Sequence, residues 1–203
     1  TGFFSMFYHY NNVCNLSTGR KKRIISTINH WLRYEAARGL KITFESITVD
    51  LLRDFERYLQ NESTRPKARN SKELVFSPKS KNTIHVLMAL TRTFWNFARK
   101  ELKTKGINLH YPFGPDGYQV PGENYGSPIY ITSEERDILY RAELPSERLQ
   151  RVRDIFVLQC LIGARVGDLC KLTKANVQNN TVTYIPRKTK DGKPINVSVP
   201  LHQ

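Results

Sequence analysis

Cysteine is scarce in this sequence, and carboxylates are outnumbered. Cys14, Cys160 and Cys170 are too few for a disulfide framework and lack metal-ligand spacing, so free thiols in a reducing cytoplasm are expected, with no bound metal. Long apolar runs are missing too. Nothing approaches the roughly 18 consecutive apolar residues of a membrane span, which excludes a membrane-embedded role. The first residues carry no basic stretch followed by an apolar run and a small-residue cleavage site, so export is not expected. Against 18 Asp and Glu stand 32 Lys and Arg, a formal charge of +14 on 203 residues. With 39% hydrophobic and 11% aromatic residues, the chain has material for a packed core rather than a disordered tail. A basic, folded protein of this kind calls for a polyanionic partner.

The charge is unevenly placed. Residues 1–105 hold 20 Lys and Arg against 8 Asp and Glu, and residues 131–203 hold 12 against 8. Between them, residues 106–130 contain no Lys or Arg and are rich in Gly and Pro (YPFGPDGYQVPGENYGSP). That stretch lacks helical or alternating apolar spacing, and it reads as a linker between two domains, 1–105 and 131–203.

The first domain reads as all-helical. An aromatic opening, TGFFSMFYHYNN, has the look of a helix end. Ser17 or Thr18 can cap a helix in which Ile24, Ile28, Trp31, Leu32 and Glu35 follow the 3.6-residue period, with Gly39 as its stop. Thr48 can cap a second, carrying Leu51, Leu52, Phe55, Tyr58 and Leu59. After a polar insertion (NESTRPKARNSKELVFSP) a third carries Ile84, Leu87, Met88, Thr91, Phe94, Trp95 and Ala98. The aromatic stripe reads as core rather than as a base-stacking surface. The cations say more. Arg20, Lys21, Lys22 and Arg23 open the first long helix, and Lys79, Lys81, Asn82 and Thr83 open the third. Cations at a helix N-terminus oppose the macrodipole, so local stability does not call for them there. Exposed N–H groups beside Lys or Arg suit a phosphate backbone; a solvated, solubilising face is the alternative.

The second domain opens with a capping box, Thr132 and Glu135, after which Ile138 and Leu139 are expected to face inward. Residues 154–162 (DIFVLQCLI) are apolar almost all round, predicting a helix buried at the domain centre and ending at Gly163. Arg165 follows, with Asp168 three residues on and able to pair with it. Residues 181–185 and 195–200 alternate as strands around Asp191-Gly192, a hairpin turn signal. Four cations gather at that tip: Arg187, Lys188, Lys190 and Lys193.

The string IGARVGDLCKLT, followed by a hairpin bearing RKTKDGKPINVSVPL, resembles the first conserved block of the tyrosine recombinases, the phage-integrase family. YITSEERDIL resembles that family's entry into its catalytic domain, and Tyr111-Pro112-Phe113 its Pro-Phe before the linker. ITVDLLRDFERYL and KSKNTIHVLMALTRTFWNFA resemble its helical core-binding domain, closest in wording to integrases of Bacteroides-type mobile elements. The resemblance covers nearly the whole chain. It implies a mainly α fold with a small β-hairpin or sheet: a SAM-like core-binding domain, then the N-terminal part of an α+β catalytic domain.

The resemblance further implies roles. Arg165 stands at the position of the first catalytic arginine, whose planar fork suits two phosphate oxygens. Asp168 matches the acid supporting it, and Lys188 the lysine that protonates the leaving 5′-oxygen, with Lys190 as the alternative. Ala164 and Gly167 depart from the usual leucine and serine. The family's second block, His-x-x-Arg and then the tyrosine that forms a 3′-phosphotyrosine link, has no match among these residues; His202 lacks the arginine three positions on, and none of the ten tyrosines fits. The implied parent is a bacterial, nucleoid-associated recombinase that needs no cofactor and works as a tetramer on paired DNA sites. The present 203 residues are expected to bind duplex DNA as a monomeric fragment, without cutting it. A non-catalytic DNA-binding regulator derived from a truncated integrase also fits the residues.

Overall fold

Phe3, Met6, Phe7 and Tyr10 recur at intervals of three and four residues and give α1 (Phe3–Val13) one buried face. The aromatic opening thus forms a helix of the core. The structure, a computed structural model, describes residues 2–189 and 193–201. The chain divides into two units, Thr1–Gly126 and Ser127–Gln203.

In the first unit α2 (Thr18–Arg38) begins where the Ser17 hydroxyl accepts from the Arg20 N–H, and it ends at Gly39, whose φ of 61° is the left-handed turn that a side chain would resist. Thr48 caps α3 (Val49–Asn61) and Ser80 caps α4 (Lys81–Lys103) in the same way. One expectation on α2 fails. Leu32 is exposed and Tyr34 is buried in its place, because one residue past Trp31 is about 100° of helix rotation away from the core. The aromatic stripe is core, as expected. Phe7 stacks on Phe94 with ring centroids 3.8 Å apart, and Trp31 on Phe55 at 3.7 Å. Each buried indole keeps a hydrogen bond, Trp31 Nε1 donating to Thr91 Oγ1 (3.0 Å) and Trp95 Nε1 to the His110 carbonyl (2.9 Å).

The polar insertion between α3 and α4 is an antiparallel ribbon. Its strands are β1 (Thr64–Pro66) and β2 (Leu74–Phe76), with Thr64 opposite Phe76 and Arg65 opposite Val75.

Residues 106–126 are not a free linker, so the boundaries read from composition need correction. Phe113 and Tyr118 are buried in the same core as α1–α4. The Tyr118 hydroxyl donates to Glu56 (2.7 Å), and His110 Nε2 bonds to the Ile47 carbonyl (2.8 Å). Gly and Pro made the backbone irregular, while a few aromatic and His side chains tie it down. Residues 127–132 are the exposed, irregular remainder.

The second unit contains α5 (Ser133–Arg141), α6 (Glu147–Ile162), the short α7 (Val166–Leu169) and a 3₁₀ turn (Lys174–Asn176). Its sheet has the order β3-β4-β5, from β3 (Val177–Gln178), β4 (Thr181–Tyr184) and β5 (Val197–Pro200), all antiparallel. The Thr132–Glu135 capping box forms on both sides, and Gly163 ends α6 at φ 62°. The Asp191-Gly192 turn lies outside the described residues.

Two expectations are overturned here. Ile138 is 70% exposed rather than inward. Helix α6 is not buried at a centre: Val157 and Ile162 are covered, but Ile155, Phe156, Leu158 and Leu161 are exposed. Among the described residues the unit's packed cluster is small, Ile162, Ala164 and Leu169 with Leu172, Tyr184 and Val199 beside them. Such a cluster can bury only one edge of an all-round apolar helix.

Candidate nucleic-acid interface

Serine caps fix the two basic helix starts of the first unit. Ser17 fixes the first turn of α2, which carries Arg20 and Arg23, and Ser80 fixes that of α4, which carries Lys81, Asn82 and Thr83. The two helices flank a cleft of about 410 Å³ lined by Ser17, Arg20 and Arg23 from one side and His85, Ala89 and Thr93 from the other. A second cleft, about 400 Å³, shares Arg23, Val86 and Leu90 with the first and continues past Ser26, His30, Asn82 and Thr83. The two clefts make one groove with guanidinium groups on its α2 wall. Arg20, Lys22, Arg23, Lys81 and Thr83 are exposed, and Lys21 and Lys79 are half-buried. Among the described residues, none of the cations Arg20 to Arg23, Lys79 or Lys81 is in an ion pair. Charges left unpaired in this way remain available to an external anion.

Asn82 stands apart from its neighbours. Its side-chain amide donates to the Asn124 carbonyl (2.8 Å) and its oxygen accepts from the Asn124 N–H (2.7 Å). His85, one turn on, bonds to the Pro121 carbonyl and lies 3.4 Å from a Glu123 oxygen. Asn82 therefore clips residues 121–124 to α4, a role that position alone does not reveal.

Two residues absent from the sequence-based set, His30 and its neighbour Arg33, stand at the groove. His30 lines it, and His30 Nδ1 lies 3.1 Å from Arg33 Nη2. A guanidinium only donates, so Nδ1 accepts and the ring proton of the neutral imidazole sits on Nε2. Burial first, then the charges of Arg33 and Lys79, lower the His30 pKa to about 4. Lys79 is pulled below the usual lysine range by burial, and next by Arg33 and Arg65. The seven-residue spacing of Arg23 and His30, which sets them on one helix face, was the available signal.

In the second unit, Arg165 is the N-cap of α7 with an extended backbone (φ −67°, ψ 145°), and its side chain is exposed. The expected Arg165–Asp168 pair is not formed among the described residues. Arg165 stands outside the helical turn, so helical i, i+3 geometry does not apply to it. Asp168 turns inward instead, 7% exposed, and its Oδ1 accepts from the Arg187 N–H at 2.9 Å. The carboxylate thereby ties the turn that starts with Arg165 to the turn at 187–189, which carries the exposed Lys188. Thr189 closes that second turn by donating its N–H and its hydroxyl to the Pro186 carbonyl, both at 3.0 Å. Lys190 lies outside the described residues.

No group of His, Cys, Asp and Glu able to hold a metal occurs among the described residues, and no described helix is long and apolar enough to cross a membrane. No curated protein and no solved structure matches the chain. The phage integrase SAM-like domain does match, over residues 2–110, more than half of the 203 and nearly all of the unit that carries the groove. By that match the chain belongs to the phage integrase (tyrosine recombinase) family, with the SAM-like domain as its helical unit.

Proposed function

We propose that this chain grips duplex DNA through the α2–α4 groove of its SAM-like domain and presents part of a tyrosine-recombinase catalytic centre from its second unit. The carrying observation is the groove itself: Arg20 and Arg23 face it without carboxylate partners, in a domain of the integrase family. Arg20, Lys22, Arg23 and Lys81 contact backbone phosphates; Lys21 and Lys79 reinforce the field, and Thr83 and Asn82 shape the α4 wall.

In the second unit Arg165 holds the scissile phosphate by its guanidinium fork and stabilises charge as the phosphorus is attacked. Lys188 gives its proton to the departing 5′-oxygen. Asp168 positions both through its bond to the Arg187 N–H, which supports this reading because it links the two short segments concerned. The parent recombinase makes a 3′-phosphotyrosine link. The nucleophile is not one of the ten tyrosines here, so the chain binds DNA and leaves it uncut.

The test is binding to a labelled duplex over a range of salt. Several phosphate contacts require the logarithm of affinity to fall steeply and linearly with the logarithm of salt concentration. Replacing Arg20 and Arg23 by Gln should flatten that slope by about 2. An affinity indifferent to salt would sink the DNA reading. A covalent protein–DNA adduct formed by these 203 residues would overturn the claim that they leave DNA uncut.

A further inference from the structure

Residues 121–124 lie as a strap against the α4 wall of the groove. Up to Val120 the chain is tied into the core, with Phe113 and Tyr118 buried and Val120 packed beside them. Residues 122–126 are all exposed, so polar contacts rather than buried side chains hold the strap. Both side chains that fasten it belong to the groove: His85 lines the first cleft and Asn82 the second.

The chemistry of the two fastenings differs. The Asn82 amide donates to the Asn124 carbonyl at 2.8 Å and accepts from the Asn124 N–H at 2.7 Å. One donor beside one acceptor is also what the adenine edge offers an asparagine in the major groove, so the amide has an equivalent partner in DNA. At His85, the Pro121 carbonyl can only accept, so Nδ1 carries the proton it receives. The neutral ring then turns the lone pair of Nε2, not a proton, towards the Glu123 carboxylate 3.4 Å away. Glu123 is thus a poorly paired acid on the wall of a groove whose opposite wall is cationic.

We propose that residues 121–124 are an autoinhibitory strap, which occupies Asn82 and His85 in the free chain and is displaced when a duplex enters the α2–α4 groove. The inference rests on the DNA-binding reading and adds an opening step to it. Opening uncovers no apolar core, and it breaks exposed hydrogen bonds of small net worth in water. Until the strap leaves, the Glu123 carboxylate repels incoming phosphates; once it leaves, Asn82 and His85 are free to face the duplex. The core anchors at Phe113 and Tyr118 stay in place, so the opening is confined to the strap.

Amide exchange read by mass spectrometry on the whole chain, free and with saturating duplex, tests the strap. The peptide containing Asn124 should exchange about tenfold faster in the complex, because its N–H loses the Asn82 oxygen. Glu123 is exposed, so Glu123→Ala leaves the fold intact; it should bind duplex about threefold more tightly at low salt, a gain that fades as salt rises. A duplex that binds while the Asn124 peptide is unchanged or better protected would overturn the strap and leave groove binding standing. Wild-type affinity in Glu123→Ala would do the same. A chain that ignores duplex DNA at every salt concentration would overturn the DNA reading and the strap together.

Discussion

His30 is neutral at physiological pH because burial, and then Arg33 and Lys79, oppose its protonation. In the unfolded chain it titrates near 6.5, so below that pH the unfolded state binds the extra proton and the folded state resists it. Its contribution is therefore fully present above pH 6.5 and is lost as pH falls from 6.5 towards 4. The loss should approach about 3 kcal/mol, the equivalent of the shift. Urea denaturation of the SAM-like domain at a series of pH values checks it, and His30→Gln should remove most of that slope. Asp168 acts by hydrogen bonding. Asp168→Ala strands the Arg187 N–H, which should destabilise the second unit by about 1–3 kcal/mol, read as an earlier unfolding transition of that unit. Asp168→Asn keeps an acceptor and should lose less.

At the scale of elements, α4 links core and groove. Phe94 is fully buried against Phe7 and Phe3, and Phe94→Ala should cost about 3–5 kcal/mol, measurable by thermal unfolding. Such elements were legible because their caps and periods agree: Ser17, Thr48, Thr132 and Gly39 mark ends that the structure keeps. Helix α6 was misread because a pattern apolar on every face states that burial is favourable, not which neighbour supplies it. Residues 106–126 were misread for the opposite reason. Irregular backbone resembles a linker in composition, and its anchorage depends on contacts such as Asn82 with Asn124 that span 42 residues. The basic helix starts were legible as charge, but the engagement of Asp54 and Glu62 by Arg38, a tertiary fact, was not.

At the scale of the molecule, the two units differ in how well they are filled. The first has a continuous aromatic and aliphatic core, while the second has a small cluster beneath exposed apolar side chains. Brief chymotrypsin treatment should cut first near Tyr125 or Tyr130, both about four-fifths exposed in irregular backbone, and release a resistant fragment close to residues 1–125. A first cut within α2 or α4 would contradict the division after Gly126. The position of the indoles has a spectroscopic consequence. Both tryptophans of the chain, Trp31 and Trp95, lie sealed in the SAM-like domain, and the second unit has none. Tryptophan emission is thus a private signal of one unit: it should be blue-shifted, poorly quenched by iodide, and blind to unfolding of the other. Paired with circular dichroism, which sees every helix, it turns an unlabelled melt into two separable curves.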